Sequence, residues 1–153
     1  MGRILFEANL AYLAGLFDGD GAIMAWIETH REKKFGFRVR VVIKITQKHS
    51  EFLQELQEEL GVGRVIQNRN AYELIIKDQK HILTLLIQFK KYLRIKRKQA
   101  EIALQILEYE IISKEDLLVV AELADTLASF NVRSKSRRKN FVSKIQGSVP
   151  PND

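Results

Sequence analysis

Nine residues constrain this chain more than any others: Leu13-Ala14-Gly15-Leu16-Phe17-Asp18-Gly19-Asp20-Gly21. Together with the residues before them they predict a helix, Glu7 to Asp18, ending in a small-residue turn that carries two carboxylates. On a 3.6-residue wheel, Ala8, Ala11, Gly15 and Gly19 fall within about 80° of one another. Leu10, Leu13 and Phe17 fall on the opposite side. One face is bulky and apolar, suited to the chain's own core. The other is nearly bare of side chain, suited to the close approach of a second helix. Asp18 and Asp20 sit where the bare face runs out.

Two blander readings explain less. Asp-Gly-Asp-Gly as a plain helix terminus, with glycine as left-handed cap, accounts for Gly19 and Gly21 but not for the small-residue stripe. A calcium-binding loop opening at Asp18 needs Gly at its sixth position and Glu at its twelfth, where this chain has Ile23 and Thr29.

The 153 residues suit one domain with a full core, read here as residues 1–147 with a fraying tail at 148–153. Hydrophobic residues are 46% and charged residues 29%, the balance of a soluble globular chain, and no apolar run reaches membrane-spanning length. Met1-Gly2-Arg3 leads almost directly into helix, without the pattern of a signal peptide. The expected location is intracellular, with no membrane partner and no small-molecule cofactor. With no Cys, disulfides and thiolate zinc sites are excluded. His30, His49 and His81 have no ligand spacing.

The net charge of +6 points to a polyanionic partner, and nucleic acid is the usual one. Cations concentrate in Lys90 to Lys98 and in Arg133 to Lys144, away from the acidic stretches Glu51 to Glu59 and Glu108 to Glu122.

Residues 22–30 predict a strand with Ile23, Ala25, Ile27 and Thr29 on one face and Met24, Trp26, Glu28 and His30 on the other. Residues 37–46 alternate most clearly, Phe37, Val39, Val41, Ile43 and Ile45 against Arg38, Arg40, Val42 and Lys44. Helix follows at 49–60 and stops at Gly61. A second hairpin joins 64–69 to 72–77 around Asn70-Ala71, and further helices are read at 80–91, 97–112, 115–130 and around 140–146. This α-β-β-α-β-β-α order with extra C-terminal helices is an α+β class.

The run 13–21 resembles the signature of the LAGLIDADG homing endonucleases, with seven of nine letters identical and Phe17 and Gly19 as mild changes. The element order agrees with that family's core, in which a four-stranded antiparallel sheet is curved into a saddle over DNA. The resemblance implies a site-specific double-strand DNA endonuclease using Mg²⁺ or Mn²⁺. Its catalytic acid is then Asp20, with the Gly19 carbonyl as a second metal contact. Gln47 takes the place of a polar residue that orders active-site water, and Lys98 that of a basic residue near the cleavage centre. Physically, Lys98 suits the charge of a phosphorane, and its place near a helix start opposes the macrodipole. Family members of this type often carry an Arg shortly after the position of Gln47, where this chain has Lys48, His49, Ser50 and Glu51.

One signature helix implies a homodimer. Ala8, Ala11, Tyr12, Gly15 and Gly19 would meet their symmetry mates, both subunits would share the metal through Asp20, and the target would be near-palindromic. A two-stranded ribbon fits the major groove. The candidates for DNA contact are Met24, Trp26, Glu28, His30, Arg38, Arg40 and Lys44 on the first hairpin. On the second they are Arg64, Ile66, Asn68, Glu73, Ile75 and Lys77. Arg133, Lys135, Arg137, Arg138 and Lys139 are the expected phosphate contacts beyond the last long helix. Two rivals keep the fold: an RNA maturase assisting intron splicing, which loss of the acid would favour, although Asp20 is present, and a DNA-binding protein that does not cleave, against which the intact Asp20, Gln47 and Lys98 argue.

Overall fold

The computed structural model of the chain describes residues 6–131 and 141–147. Helix α1 (Glu7–Asp20) leads straight into the hairpin of β1 (Gly21–Thr29) and β2 (Phe37–Gln47). Helix α2 (Ser50–Leu60) precedes a second hairpin, β3 (Arg64–Asn68) and β4 (Ala71–Ile76). Then come α3 (Gln79–Phe89), a 3₁₀ turn (Lys90–Tyr92), α4 (Arg97–Glu108), α5 (Lys114–Asn131) and the short α6 (Phe141–Gln146). The strands form one antiparallel sheet in the order β1-β2-β4-β3. This is the expected α+β core.

The sheet faces follow the alternation. Ile23, Ala25, Ile27, Val41, Ile43, Ile45, Leu74 and Ile76 are buried on the face that the helices cover. Pairing of Trp26 with Arg40 and of Glu28 with Arg38 places the polar sets of both strands together on the other face. A slip of one residue would have exchanged the faces, so the buried set fixes the register. Where β2 outruns β4, the Gln79 side chain continues the ladder. It accepts the Val41 N–H and donates to the Val41 carbonyl, both at 2.8 Å, so neither buried group is left unpaired.

Several boundaries differ from the sequence reading. Helix α1 runs two residues further, so Asp20 is its last residue and not part of a following turn. Helix α4 stops at Glu108 instead of reaching 112. The cause lies downstream: Asp116 accepts the N–H groups of Ile112 and Ser113, and the Ser113 hydroxyl accepts the N–H of Asp116. This reciprocal cap starts α5 and holds the connector out of α4. These bonds also hold the Asp116 carboxyl below the usual range, the N–H of Ile112 contributing most. The second hairpin turns at Arg69-Asn70, because Asn68 pairs with Ala71, and Arg69 takes the left-handed conformation (φ 58°). Strand register overrode the preference for Asn there.

Gly21 is needed for space and not for a left-handed cap. Its backbone is extended (φ −94°), but a Cβ there would meet Phe17 Cδ1 at 2.4 Å and Phe17 Cα at 2.7 Å. Phe17 cannot retreat, because it stacks on Phe89 at 5.2 Å between ring centroids and is 1% exposed. Gly21→Ala is therefore expected to cost about 1–3 kcal/mol through overpacking. Denaturant unfolding checks this; an unchanged midpoint would contradict the tight passage from α1 into β1.

Candidate functional site

The end of α1 gathers the first cluster. Asp20 is exposed, and its Oδ2 accepts a hydrogen bond from Gln47 Nε2 at 2.8 Å. Gln47 closes β2 and Asp20 closes α1, so the pairing of β1 with β2 brings the two side chains together. With its Nε2 donating to Asp20, the Gln47 amide has only its oxygen left to accept a hydrogen bond on that side. Lys98 is exposed in the first turn of α4 and makes no ion pair with Asp20.

A hard divalent cation suits this point. The last carbonyls of a helix have no intrahelical donor and carry the negative end of its dipole. Those of Phe17 and Asp18 are taken by the Gly21 N–H and the Lys96 ammonium, and the carbonyl of Gly19 comes next. One carboxylate with one carbonyl is too few for a closed protein cage. Among the described residues, no three His, Cys, Asp or Glu converge on one point. Mg²⁺ tolerates so sparse a set, since it keeps waters and takes phosphate oxygens.

The second cluster is the open face of the sheet. Met24, Trp26, Glu28, Arg40, Val42, Lys44, Ile66, Asn68, Glu73, Ile75 and Lys77 line a single trough there. Arg64 lies beside Ile66, Ile75 and Lys77 in an adjoining hollow. His30 and Arg38 open onto a neighbouring depression that also includes Lys77 and Gln79. Trp26 is 43% exposed, as its register required. Glu28 lies 3.5 Å from Arg38 Nε and 3.8 Å from Arg40 Nη1.

Glu73 corrects one expectation. It stands on the predicted face but is only 3% exposed, too little for direct contact with a base. Its carboxylate pairs with Lys44 Nζ at 2.5 Å and accepts from the Asn68 amide. It is the anchor beneath two outward-facing side chains. Burial opposes its ionisation, but the Lys44 ammonium and the Asn68 amide outweigh burial and hold the carboxyl below its ordinary 4.5. Alternation placed Glu73 on the right face; only the fold shows how deeply its neighbours cover it.

The third cluster is the bare face of α1. Ala8, Ala11, Tyr12, Gly15 and Gly19 are exposed, while Leu10, Leu13, Ala14 and Phe17 are buried on the opposite side. Among the described residues, a Cβ built on Gly15 or Gly19 meets no atom within 4 Å beyond its own stretch of helix. Arg133, Lys135, Arg137, Arg138, Lys139 and the tail 148–153 lie outside the described residues. Two roles escaped the sequence reading. The Gln79 amide extends the ladder, and the Asp18 carboxylate accepts backbone N–H groups from residues 94–96. No local pattern signals either one, because the partners are 38 and 76–78 residues away.

Residues 13–109 match the family model for the LAGLIDADG endonuclease. The chain belongs to the LAGLIDADG endonuclease family. It is 35% identical over 134 residues to the DNA endonuclease I-CreI of Chlamydomonas reinhardtii, covering 84% of this chain and 82% of that one. It is 31% identical over 141 residues to the DNA endonuclease I-CvuI of Chlorella vulgaris, covering 90% and 87%. The structure of I-CvuI in complex with its target superimposes with a TM-score of 0.79 at 28% identity, over 92% of this chain and 91% of that one. The LAGLIDADG helix is α1, and the matched region spans the whole four-stranded sheet.

A carboxylate held ionised by its partners contributes stability above its unfolded value and loses it as pH falls through the folded value. Glu73→Gln is therefore expected to be less stable than the parent well above pH 4.5, with the gap closing as pH falls below it. Chemical denaturation across pH measures this; a gap that widens in acid would contradict the Lys44–Glu73 pairing.

Proposed function

We propose that this chain is a site-specific DNA endonuclease that cuts both strands of a near-palindromic duplex as a homodimer, using Mg²⁺ or Mn²⁺. The observation that carries the reading is the placement of Asp20. It ends a helix whose exposed face is bare, it is bonded to Gln47, and it lies at the start of the sheet whose open face is lined with cations.

The bare face favours a second copy. Glycine inside a helix costs about 1 kcal/mol relative to alanine. Among the described residues of one chain nothing requires Gly15 or Gly19, since a side chain at either meets open space. A closely approaching helix gives both glycines a reason, and two-fold pairing of α1 brings the two Asp20 residues near each other. The partner then completes a metal site that one subunit leaves half built.

Asp20 and the carbonyl of Gly19 would hold the metal. When bound, it supplies charge neutralisation on the phosphate and an activated water. The Gln47 amide fixes Asp20 through its Nε2 and offers its oxygen to orient the attacking water. Lys98 stabilises the added negative charge of the phosphorane. The trough supplies the rest of the binding. Arg40, Lys44, Asn68 and Lys77 present donors for base edges in the major groove, with Glu73 fixing the aim of Lys44 and Asn68. Trp26 and Ile75 offer apolar contact to thymine methyl groups. The similarity to I-CreI and I-CvuI, both DNA endonucleases, supports this assignment.

Asp20→Asn is expected to abolish cleavage of a target selected from a randomised palindromic library, while affinity for that DNA persists. Residual cutting by this variant would reject the role of Asp20. Gly15→Leu is expected to leave the isolated chain at least as stable as the parent by thermal unfolding, since a helix former replaces an open glycine, and to convert dimer to monomer by sedimentation, with loss of cleavage. A dimer that survives this change would reject α1 as the interface.

A further inference from the structure

Asp18 is the first carboxylate of the motif, and none of the steps above uses it. Its Oδ2 accepts the backbone N–H of Arg94 at 2.9 Å. Its Oδ1 accepts those of Ile95 at 3.1 Å and Lys96 at 2.9 Å. The Lys96 ammonium donates in return to the Asp18 carbonyl at 3.0 Å. Four hydrogen bonds thus join the last turn of α1 to three consecutive residues. Helix α4 begins at the next residue, Arg97, and Lys98 is its second.

Bonds from N–H groups to a carboxylate are roughly twice as strong as neutral ones. Among the described residues, no other side chain accepts hydrogen bonds from the backbone N–H groups of 94–96. Lys96, the N-cap of α4, makes no side-chain cap bond, and the Arg97 guanidinium reaches only the Lys91 carbonyl at 3.1 Å. The local charge also calls for an anion. Arg94, Lys96, Arg97 and Lys98 crowd the N-terminal end of α4, where the helix dipole is already positive. The Asp18 carboxylate lies against that end and offsets both.

We infer that Asp18 is a positioning residue, clamping segment 94–96 to the motif helix so that Lys98 is held in fixed geometry to Asp20. The inference rests on the proposed roles of Asp20 and Lys98 and extends them to the other acid of the motif. Asp18 and Asp20 share one helix turn. Loosening the clamp therefore moves Lys98 and leaves Asp20 in place. The cost falls on the rate of the chemical step and passes through Lys98.

The test compares the parent, Asp18→Asn, Lys98→Met and the double variant. Single-turnover cleavage is read with Mg²⁺ and DNA affinity with Ca²⁺. No cleavage by the parent would overturn the endonuclease reading itself. Given an active parent, Asp18→Asn is expected to cut about 10- to 100-fold more slowly, the scale of a small misplacement of a catalytic group. Its affinity for DNA is expected to stay unchanged, and the double variant to cut no more slowly than Lys98→Met alone. A parent-like rate in Asp18→Asn, or losses that multiply in the double variant, would overturn the inference. In the protein without metal or DNA, amide exchange at residues 94–96 is expected to be slow in the parent and faster in Asp18→Asn; equal exchange would also overturn it. Should Asp18→Asn fail to fold, Lys96→Met, which removes the bond to the Asp18 carbonyl together with one positive charge, carries the same test in the single-turnover rate at saturating enzyme. Slower cleavage at saturation supports the clamp, and an unchanged rate overturns it.

Discussion

Phe17 packed on Phe89, with Gly21 pressed beneath it, is the contact on which the rest of the structure depends. It buries one side of α1 in the core and turns the chain from helix into strand without a loop. The opposite side of α1 must then face outward, and the acid at its end cannot retreat inside. A helix locked in this way delivers Asp20 to a fixed point beside Gln47. Precise placement of a few polar groups is what metal-assisted phosphodiester hydrolysis demands.

The sheet applies the same economy of means to recognition. Its covered face is almost wholly aliphatic, so its strands cannot slip, and its open face inherits a fixed register. Charges on that face are held by one another before any ligand arrives: Glu28 by Arg38 and Arg40, and Lys44 by the buried Glu73. Such pairing limits the freedom of long side chains, which reduces the ordering cost when they meet a partner. A buried carboxylate on a face proposed to meet a polyanion would be repulsive if left unpaired. Its ammonium partner removes that penalty.

Local sequence revealed the faces of the helix read at 7–18, the strand alternation at 22–30 and 37–46, and, by resemblance, the grouping of Asp20 with Gln47. Those features depend on periodicity and on a short motif, which residues carry in order along the chain. What stayed hidden depends on distant partners. The depth of Glu73 depends on Lys44 and Asn68 from two other strands. The early end of α4 depends on Asp116, eight residues beyond Glu108, outcompeting the helix for two N–H groups. The clamp at Asp18 required three backbone donors from another part of the fold. Side chains that serve as substitutes for backbone, such as Gln79, leave no periodic trace.

The central claim is that two copies of α1 meet at a two-fold axis and share metal through their terminal aspartates. Crystals grown with duplex target and Mn²⁺ would test it by anomalous diffraction. The account predicts a manganese peak at the axis, within bonding distance of Asp20 from both copies. Manganese bound elsewhere, with the two Asp20 carboxylates far apart and uncoordinated, would contradict it.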